Sequence, residues 1–324
     1  MAEDEGPLRG HTEAQILSVI EHGLSLAGGS SSEVLTGPGD DTAWLRVHSG
    51  AVLVTTDAMV LGRDWRDDWS SPRQVGRKCV AQNAADIEAM GGTTTGLVVT
   101  LVADPATPLA WVRELAIGLG QEAARAGTLI VGGDLSSAGP GVCVISATAL
   151  GELPDGAVPV LRSGARPGDA LAVSGPLGRA AAGLLLLQEN RAADDPDLVG
   201  YQQSPRPAYG DGRRALEAGA SAMLDVSDGL LLDAERIANA SGVRIDVRTA
   251  ALAADVAALT AVGDRATDCV LRGGEEHVLL ATFAGEDVPS GWRVIGAVTP
   301  GAGVSVDGLD TQGGGWEHFT AQQE

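Results

Sequence analysis

The sequence predicts an α/β protein with mixed sheets (α+β), built from two domains. Apolar runs of strand length alternate along the chain with longer segments whose apolar residues recur at helical spacing. The 324 residues are enough for two cores, and the 44% hydrophobic and 20% charged residues are typical of a folded globular protein. Pro154, Pro159 and Pro167 break the pattern near 151–168. We therefore expect domains at 1–150 and 151–324.

The first half begins with a helix and then mixes strands with two longer helices. Pro72 can open a helix because the missing N–H would be unpaired there, and Gly91 with Gly92 ends that helix. The predicted helices are 13–27, 72–90 and 109–126, and the predicted strands are 43–47, 51–56, 95–102, 128–131 and 142–150.

The second half repeats the alternation with shorter elements. A short strand at 222–226 runs directly into a helix at 230–240, the place where α/β folds put binding groups. Residues 190–209 are acidic and then rich in Pro and Tyr, so we predict a loop there. The remaining predictions are a helix at 178–189 and strands at 170–174, 243–247, 278–283 and 293–298.

Composition excludes several classes of protein. A net charge of −21 disfavours nucleic-acid and anionic-membrane partners, which need a basic surface. Lys78, the single lysine, lies in Gly-Arg-Lys-Cys, so a P-loop is excluded. The three cysteines form no C-x-x-C pair, which favours free thiols over zinc or disulfides. The acidic N-terminus has no signal-peptide pattern and no apolar run could span a bilayer, so we expect a soluble cytoplasmic protein.

Short acidic segments punctuated by glycine are spread over the chain. Carboxylates gathered at strand ends repel one another unless a cation lies between them, and their hard oxygens suit Mg²⁺. The pattern predicts a metal-loaded phosphate site. The segments are Gly-Pro-Gly-Asp-Asp-Thr at 37–42, Thr-Thr-Asp at 55–57, Asn-Ala-Ala-Asp at 83–86, Gly-Gly-Asp at 132–134, Asp-Val-Ser-Asp-Gly at 225–229 and Gly-Gly-Glu-Glu at 273–276.

Each segment also has a structural interpretation. Ser227 or Asp228 would be expected to cap the helix that follows, although its free N–H groups also favour a phosphate. Asp41 fits an ordinary Asx turn. Asp86 has apolar neighbours inside a predicted helix, so its carboxylate needs a partner or a metal. The glycine before Asp134 permits a close approach of a ligand.

The order of these segments resembles that of the bacterial thiamine-monophosphate kinases. These belong to the superfamily of aminoimidazole ribonucleotide synthetase, selenophosphate synthetase and the hydrogenase-maturation dehydratase. The resemblance covers roughly residues 36–319 and includes Arg162-Ser-Gly and Ser174-Gly-Pro-Leu-Gly178. It implies ATP-dependent phosphorylation of thiamine monophosphate to thiamine diphosphate with several Mg²⁺ ions. It also implies a homodimer formed through the N-terminal sheet and a larger C-terminal domain that closes over the nucleotide.

The resemblance assigns residues by motif position. The implied metal ligands are Asp41, Thr55, Thr56, Asp57, Asp86, Asp134, Asp225 and Asp228. The implied ATP contacts are Gly133, Asp134, Arg162 and Ser227, and the implied substrate-binding residues are Asp64, Glu275 and Trp316. No side chain is assigned as a general base, because the acceptor phosphate is already anionic and positioning with charge neutralisation suffices.

Two acids depart from the family pattern. Asp64 stands where a histidine is usual, and Glu276 replaces an aspartate and precedes His277, where tyrosine is common. These departures leave room for a non-catalytic, nucleotide-binding relative. Other ATP-using members of the superfamily are disfavoured, because the chain lacks a cysteine near either terminus.

Overall fold

A computed structural model describes residues 6–26, 28, 33–37, 42–285, 287–311 and 314–315. The chain divides into two compact units. The first comprises Met1–Ile87 with Gly92–Ala157, and the second comprises Glu88–Gly91 with Val158–Glu324. The functional roles given to the two predicted domains stay predictions.

The first unit is built on a four-stranded sheet with the order β3-β6-β4-β5, in which the β4–β5 pair is parallel and the others antiparallel. Buried residues of α2 and α3 form one core with those of β4 and β6, while Val54 of β3 is 60% exposed. The elements are α1 (Glu13–Ser25), β1 (Val34–Thr36), β2 (Trp44–Leu45), β3 (Leu53–Val60), α2 (Pro72–Ala89), β4 (Thr93–Ala103), α3 (Leu109–Arg125), β5 (Ile130–Ser137) and β6 (Cys143–Glu152).

Local sequence explains how this unit is assembled. Thr12 and Gln15 form a capping box that starts α1. The helices α2 and α3 cross closely at Gly118, where an added Cβ would lie 2.1 Å from the carbonyl oxygen of Arg73. The glycine therefore lets α2 and α3 pack closely, with the apolar residues Val75, Val80 and Ile87 of α2 in the core.

The second unit has a seven-stranded sheet with the order β13-β12-β9-β11-β7-β10-β8, antiparallel except for the β12–β9 pair. Phe283 and Trp292 meet edge to face in one of its cores, with ring centroids 5.4 Å apart. The elements are β7 (Asp169–Val173), α4 (Arg179–Gln188), α5 (Pro196–Gln203), α6 (Asp211–Glu217), β8 (Ala222–Asp225), α7 (Leu230–Ser241), β9 (Arg244–Val247), α8 (Ala253–Ala258), α9 (Ala266–Arg272), β10 (Leu279–Ala284), β11 (Arg293–Thr299), β12 (Gly303–Val306) and β13 (Leu309–Thr311).

Three sequence predictions of secondary structure are wrong. The predicted loop at 190–209 contains α5, because Asp195 caps a helix whose first residue is Pro196. The strands predicted at 51–56 and 128–131 continue to Val60 and Ser137. Each pairs with a long neighbouring strand, and this pairing keeps the chain extended although glycines and acids in these segments disfavour a strand locally. No described helix is both long and apolar enough to cross a membrane.

Candidate active site

Strand β3 carries Thr55, Thr56 and Asp57 in its interior, and not at its end as predicted. Because side chains alternate along a strand, Thr55 and Asp57 share one face and Thr56 lies on the other. The Thr56 hydroxyl donates to the carbonyl oxygen of Ala147 at 2.9 Å and lies 3.0 Å from the hydroxyl of Thr148. The strand therefore places only the side chains of Thr55 and Asp57 together.

Helix α2 brings Asp86 to the same face as Thr55. The Thr55 hydroxyl donates to Asp86 Oδ2 at 2.6 Å, which supplies a partner for this half-buried carboxylate. Burial, and then the charge of Asp57, raise the pKa of the Cys79 thiol on α2 to about 12. A hydroxyl and two carboxylates thus lie along the contact of β3 with α2.

Gly133 and Asp134 lie inside β5, whereas the sequence places them after a strand. A Cβ on Gly133 would lie 2.0 Å from the carbonyl oxygen of Val99 on β4. Asp134 is exposed and stands opposite Thr100 in the strand register. The requirement for glycine at 133 follows from strand pairing, whether or not ATP also contacts this residue.

In the second unit, β8 ends at Asp225, which is 5% exposed. Its carboxylate is paired with His277, whose Nδ1 lies 3.0 Å from Asp225 Oδ2. A histidine N–H hydrogen-bonded to a carboxylate fixes the orientation of that carboxylate. No role is predicted for His277 from the sequence, because the pairing of its loop with β8 is not visible in local sequence.

Neither Ser227 nor Asp228 caps α7, whose N-cap is Gly229 with no side-chain hydrogen bond. The backbone N–H groups of all three residues instead donate to Oδ2 of Asp233, at 3.0–3.1 Å. Arg236 bridges Asp233 and Asp228 at 2.5 and 2.6 Å. These N–H groups are therefore paired with a carboxylate of the same unit, and the implied contact of Ser227 with ATP stays a prediction.

Asp233 is a candidate residue that the sequence analysis missed. Burial, and then the charge of Asp225, raise the pKa of its carboxyl group to about 7. Its side chain is fully buried, so the three N–H donors and Arg236 must replace the hydrogen bonds that water would otherwise give to the carboxylate. The sequence shows that Asp233 is an acid in the first turn of a helix. It does not show from which N–H groups the carboxylate accepts hydrogen bonds.

The loop of residues 273–277 carries two non-glycine residues in the left-handed region, Glu275 with φ of 64° and His277 with φ of 54°. The Glu275 N–H donates to the carbonyl of Ser227 at 2.7 Å, and the His277 N–H donates to that of Val226 at 2.9 Å. Backbone strain of this kind persists where the surrounding structure holds it, and it is common at functional sites. The loop is thus held beside the end of β8.

Glu276, one of the two unusual acids, is fully buried in this loop. Its Oε1 accepts the backbone N–H of Ala180 at the start of α4 at 2.7 Å, and its Oε2 has no hydrogen-bond partner among the described residues. Burial raises the pKa of Glu276 to about 8, against the lowering effect of that N–H. Glu276 therefore joins the loop to α4.

The other predicted residues have separate positions. The carboxylate of Asp64 accepts the N–H of Val60 at 2.7 Å and closes the turn after β3. Arg162 is exposed, and its carbonyl oxygen accepts the hydroxyl of Ser241 at 3.2 Å. Asp41 and Trp316 lie outside the described residues, so their predicted roles stay predictions.

The donor set has the chemistry that Mg²⁺ requires, because the proposed ligands are carboxylate and hydroxyl oxygens. In the described part of the chain, no three His, Cys, Asp or Glu side chains are grouped closely enough to hold a metal ion. Asp57 and Asp86 belong to the first unit, and Asp225 and Asp228 belong to the second. The assignment of individual metal ligands therefore stays a prediction.

Comparison with protein families matches both halves of the chain. Residues 39–153 match the family model for the AIR synthase related protein N-terminal domain, and residues 166–308 match that for the C-terminal domain. These matches support the predicted two-domain fold with mixed sheets.

Two curated relatives are similar to this chain over most of its length. The thiamine-monophosphate kinase of Mycobacterium tuberculosis is 51% identical over 292 residues, which are 88% of this chain and 86% of the relative. That of Corynebacterium glutamicum is 43% identical over 271 residues, 81% of each chain. The similarity therefore extends over most of the chain and is not confined to short motifs.

Solved structures agree with the fold. The thiamine-monophosphate kinase of Stenotrophomonas maltophilia K279a has a TM-score of 0.79 at 30% identity, covering 92% of this chain and 97% of that one. The AaThiL structure complexed with AMPPCP and TMP has a TM-score of 0.77 at 30% identity, covering 95% and 97%. Hydrogenase maturation protein HypE, at 18% identity and a TM-score of 0.71, shares the fold. By sequence identity and coverage, this chain belongs to the thiamine-monophosphate kinase family.

Proposed function

We propose that this chain transfers the γ-phosphoryl group of ATP to thiamine monophosphate and forms thiamine diphosphate and ADP. The observation that carries the proposal is the 51% identity to the M. tuberculosis kinase over 88% of the chain. The AaThiL complex supports it, because that relative was solved with AMPPCP and TMP together. The acceptor is a phosphate that is already anionic, so the reaction needs no side-chain base.

Mg²⁺ is part of this proposal. Bound Mg²⁺ would neutralise the charge of the two phosphate-bearing substrates. Lys78, the single lysine, is 3% exposed, with its Nζ 3.5 Å from the carbonyl oxygen of Asp64. Because its side chain is buried, this lysine is poorly placed to contact the phosphate groups of a bound substrate. This favours metal ions as the source of the positive charge that neutralises those groups. The proposed ligands are the eight residues that the sequence assigns.

The non-catalytic alternative loses its motivation in the structure. It rested on Asp64 and Glu276, which depart from the family pattern. Asp64 closes a turn by accepting the N–H of Val60, and Glu276 accepts the N–H of Ala180 at the start of α4. Both departures thus have structural roles that are compatible with catalysis.

We further propose a homodimer formed through the sheet of the first unit and a cytoplasmic location. Val54 and Val60 of β3 are 60% and 39% exposed, on the face of the strand opposite to the buried Met59. Exposed valines on one sheet face support an interface between two copies. Light scattering at several protein concentrations would test this, and a mass of 32.8 kDa throughout would contradict it.

The activity is tested by incubating the protein with ATP, Mg²⁺ and thiamine monophosphate and separating the products by chromatography as fluorescent thiochrome derivatives. We expect thiamine diphosphate with Mg²⁺ and none with EDTA in its place. Thiamine in place of thiamine monophosphate serves as the acceptor control. ATP binding without diphosphate formation would contradict the proposal.

A further inference from the structure

Helix α5 lies within residues 190–209, which the sequence predicts as a loop. The Asp195 carboxylate accepts the N–H groups of Asp197 and Leu198, at 3.2 and 3.1 Å, and fixes the start of the helix. At Gly183 of α4, an added Cβ would lie 2.2 Å from the carbonyl oxygen of Leu198. The position of α5 is therefore fixed by close packing against α4.

The last turn of α5 lies against the loop of residues 273–277. The Tyr201 hydroxyl donates to the carbonyl oxygen of Glu276 at 3.1 Å, and the Arg179 guanidinium lies over the Tyr201 ring at 4.6 Å. Together with the bond from Ala180 to Glu276, this contact ties the loop to both α4 and α5. The left-handed backbone conformation of Glu275 is thus held by Ser227 before α7 and, through the neighbouring Glu276, by α4 and α5.

Gln202, the next residue, faces the predicted substrate-binding carboxylate. Its Nε2 donates to Glu275 Oε2 at 3.4 Å, a long hydrogen bond. The residue is 5% exposed, and its Oε1 has no hydrogen-bond partner among the described residues. A buried amide with one unpaired polar atom is unfavourable for stability alone, and such groups occur where function requires them.

We propose that Gln202 is a positioning residue for the thiamine portion of the substrate, acting through Glu275. Its amide N–H holds the Glu275 carboxylate in one orientation, from which the carboxylate meets the cationic, amino-bearing heterocycles of thiamine monophosphate. This role rests on the proposed function and extends it to a residue outside the acidic motifs. Because Gln202 acts through Glu275, an implied substrate contact, we expect its effect to fall on the affinity for thiamine monophosphate.

The test compares Gln202→Met, which keeps the length of the side chain and removes the amide, with Gln188→Met. Gln188 is an exposed glutamine at the end of α4. A hydrogen bond to a charged group is worth about tenfold in binding, so we expect Gln202→Met to raise the KM for thiamine monophosphate about tenfold. We expect kcat and the KM for ATP to change less than about twofold, and Gln188→Met to match the wild type.

A double-mutant cycle separates positioning from a general structural role. In a Glu275→Gln background, Gln202→Met should raise the KM for thiamine monophosphate less than about twofold further, because the group it orients has changed. Gln202→Glu, nearly the same size, should raise that KM at least as much as Gln202→Met, since two carboxylates then repel. It serves as the second variant if Gln202→Met does not fold.

Additive effects in the cycle, a parallel loss of ATP affinity and kcat, or an unchanged KM for thiamine monophosphate in both Gln202 variants would each overturn the positioning role. Those results leave the proposed function standing, because the wild-type protein would still form thiamine diphosphate. Absence of product from the wild-type protein would overturn both.

Discussion

At the scale of single residues, the acids of this chain divide into those that the sequence could assign and those it could not. Asp57, Asp86 and Asp225 lie in motifs whose chemistry is visible locally. Asp233 gains its partners, the N–H groups of 227–229, only when the turn before α7 folds back over it. His277 meets Asp225 through pairing of distant segments. Contacts of this kind depend on tertiary structure, which residue type and spacing do not specify.

Glu276→Gln should change how stability depends on pH. The pKa of Glu276 is raised from 4.5 to about 8 in the folded protein, so the folded state binds more protons than the unfolded state between those values. The stabilisation is fully present below pH 4.5 and is lost as the pH rises through about 8. Glutamine resembles the protonated acid and should remove this loss, by up to a few kcal/mol.

Urea unfolding of both proteins at pH 4.5 and pH 8.5 measures this effect. We expect similar free energies of unfolding at pH 4.5, where the loss has barely begun, and a more stable Glu276→Gln variant at pH 8.5. Identical pH dependence in the two proteins would show that Glu276 does not titrate in this range when folded.

At the scale of elements, close backbone contacts explain glycines that the sequence analysis linked to ligands. In β5, Gly133 has the carbonyl of Val99 directly beside it, whereas a Cβ at Gly132 would meet only Val98 Cγ1 at 3.5 Å. We expect Gly133→Ala to lower the free energy of unfolding by about 3 kcal/mol or more, because β4 and β5 must separate. Chemical denaturation measures it, with Gly132→Ala as the neighbouring control; equal stabilities of the two variants would refute this account of β5.

The packing of α5 on α4 gives a second pair of glycines. A Cβ at Gly183 would lie 2.2 Å from the carbonyl of Leu198, while a Cβ at Gly200 of α5 has nothing within 4 Å. Gly183→Ala should therefore lower the melting temperature, and Gly200→Ala should raise stability by about 0.5–1 kcal/mol through helix propensity. Thermal unfolding measures both, and a shift of the two variants in the same direction would argue against the close contact.

At the scale of the whole molecule, the order of motifs predicted the family although no motif was specific alone. Alternating apolar runs were enough to predict most strands and the long helices. The α5 helix was missed because its capping residue lies in an acidic stretch that resembles a loop. Thr56 lies on the opposite strand face from Thr55 because side chains alternate along β3, whereas the family motif groups the two threonines as ligands of one site. The sequence thus predicted the family better than it predicted the surroundings of the assigned residues.

Asp57→Asn and Asp225→Asn, one in each unit, should lower kcat at least a hundredfold under the proposed metal assignment. Their circular dichroism spectra should match that of the wild type, since asparagine has nearly the same size. The exposed acids Asp155 and Asp264 supply the control variants Asp155→Asn and Asp264→Asn, which should keep full activity. Retention of activity in both site variants would show that the metal ligands are misassigned.

The most direct test of the central claim follows the phosphorus nuclei during turnover. ³¹P NMR of the wild-type protein with ATP, Mg²⁺ and thiamine monophosphate should show the monophosphate signal replaced by the two signals of thiamine diphosphate. ADP should appear in equal amount. Inorganic phosphate in place of thiamine diphosphate, or an unchanged spectrum while ATP remains bound, would contradict the assignment as a thiamine-monophosphate kinase.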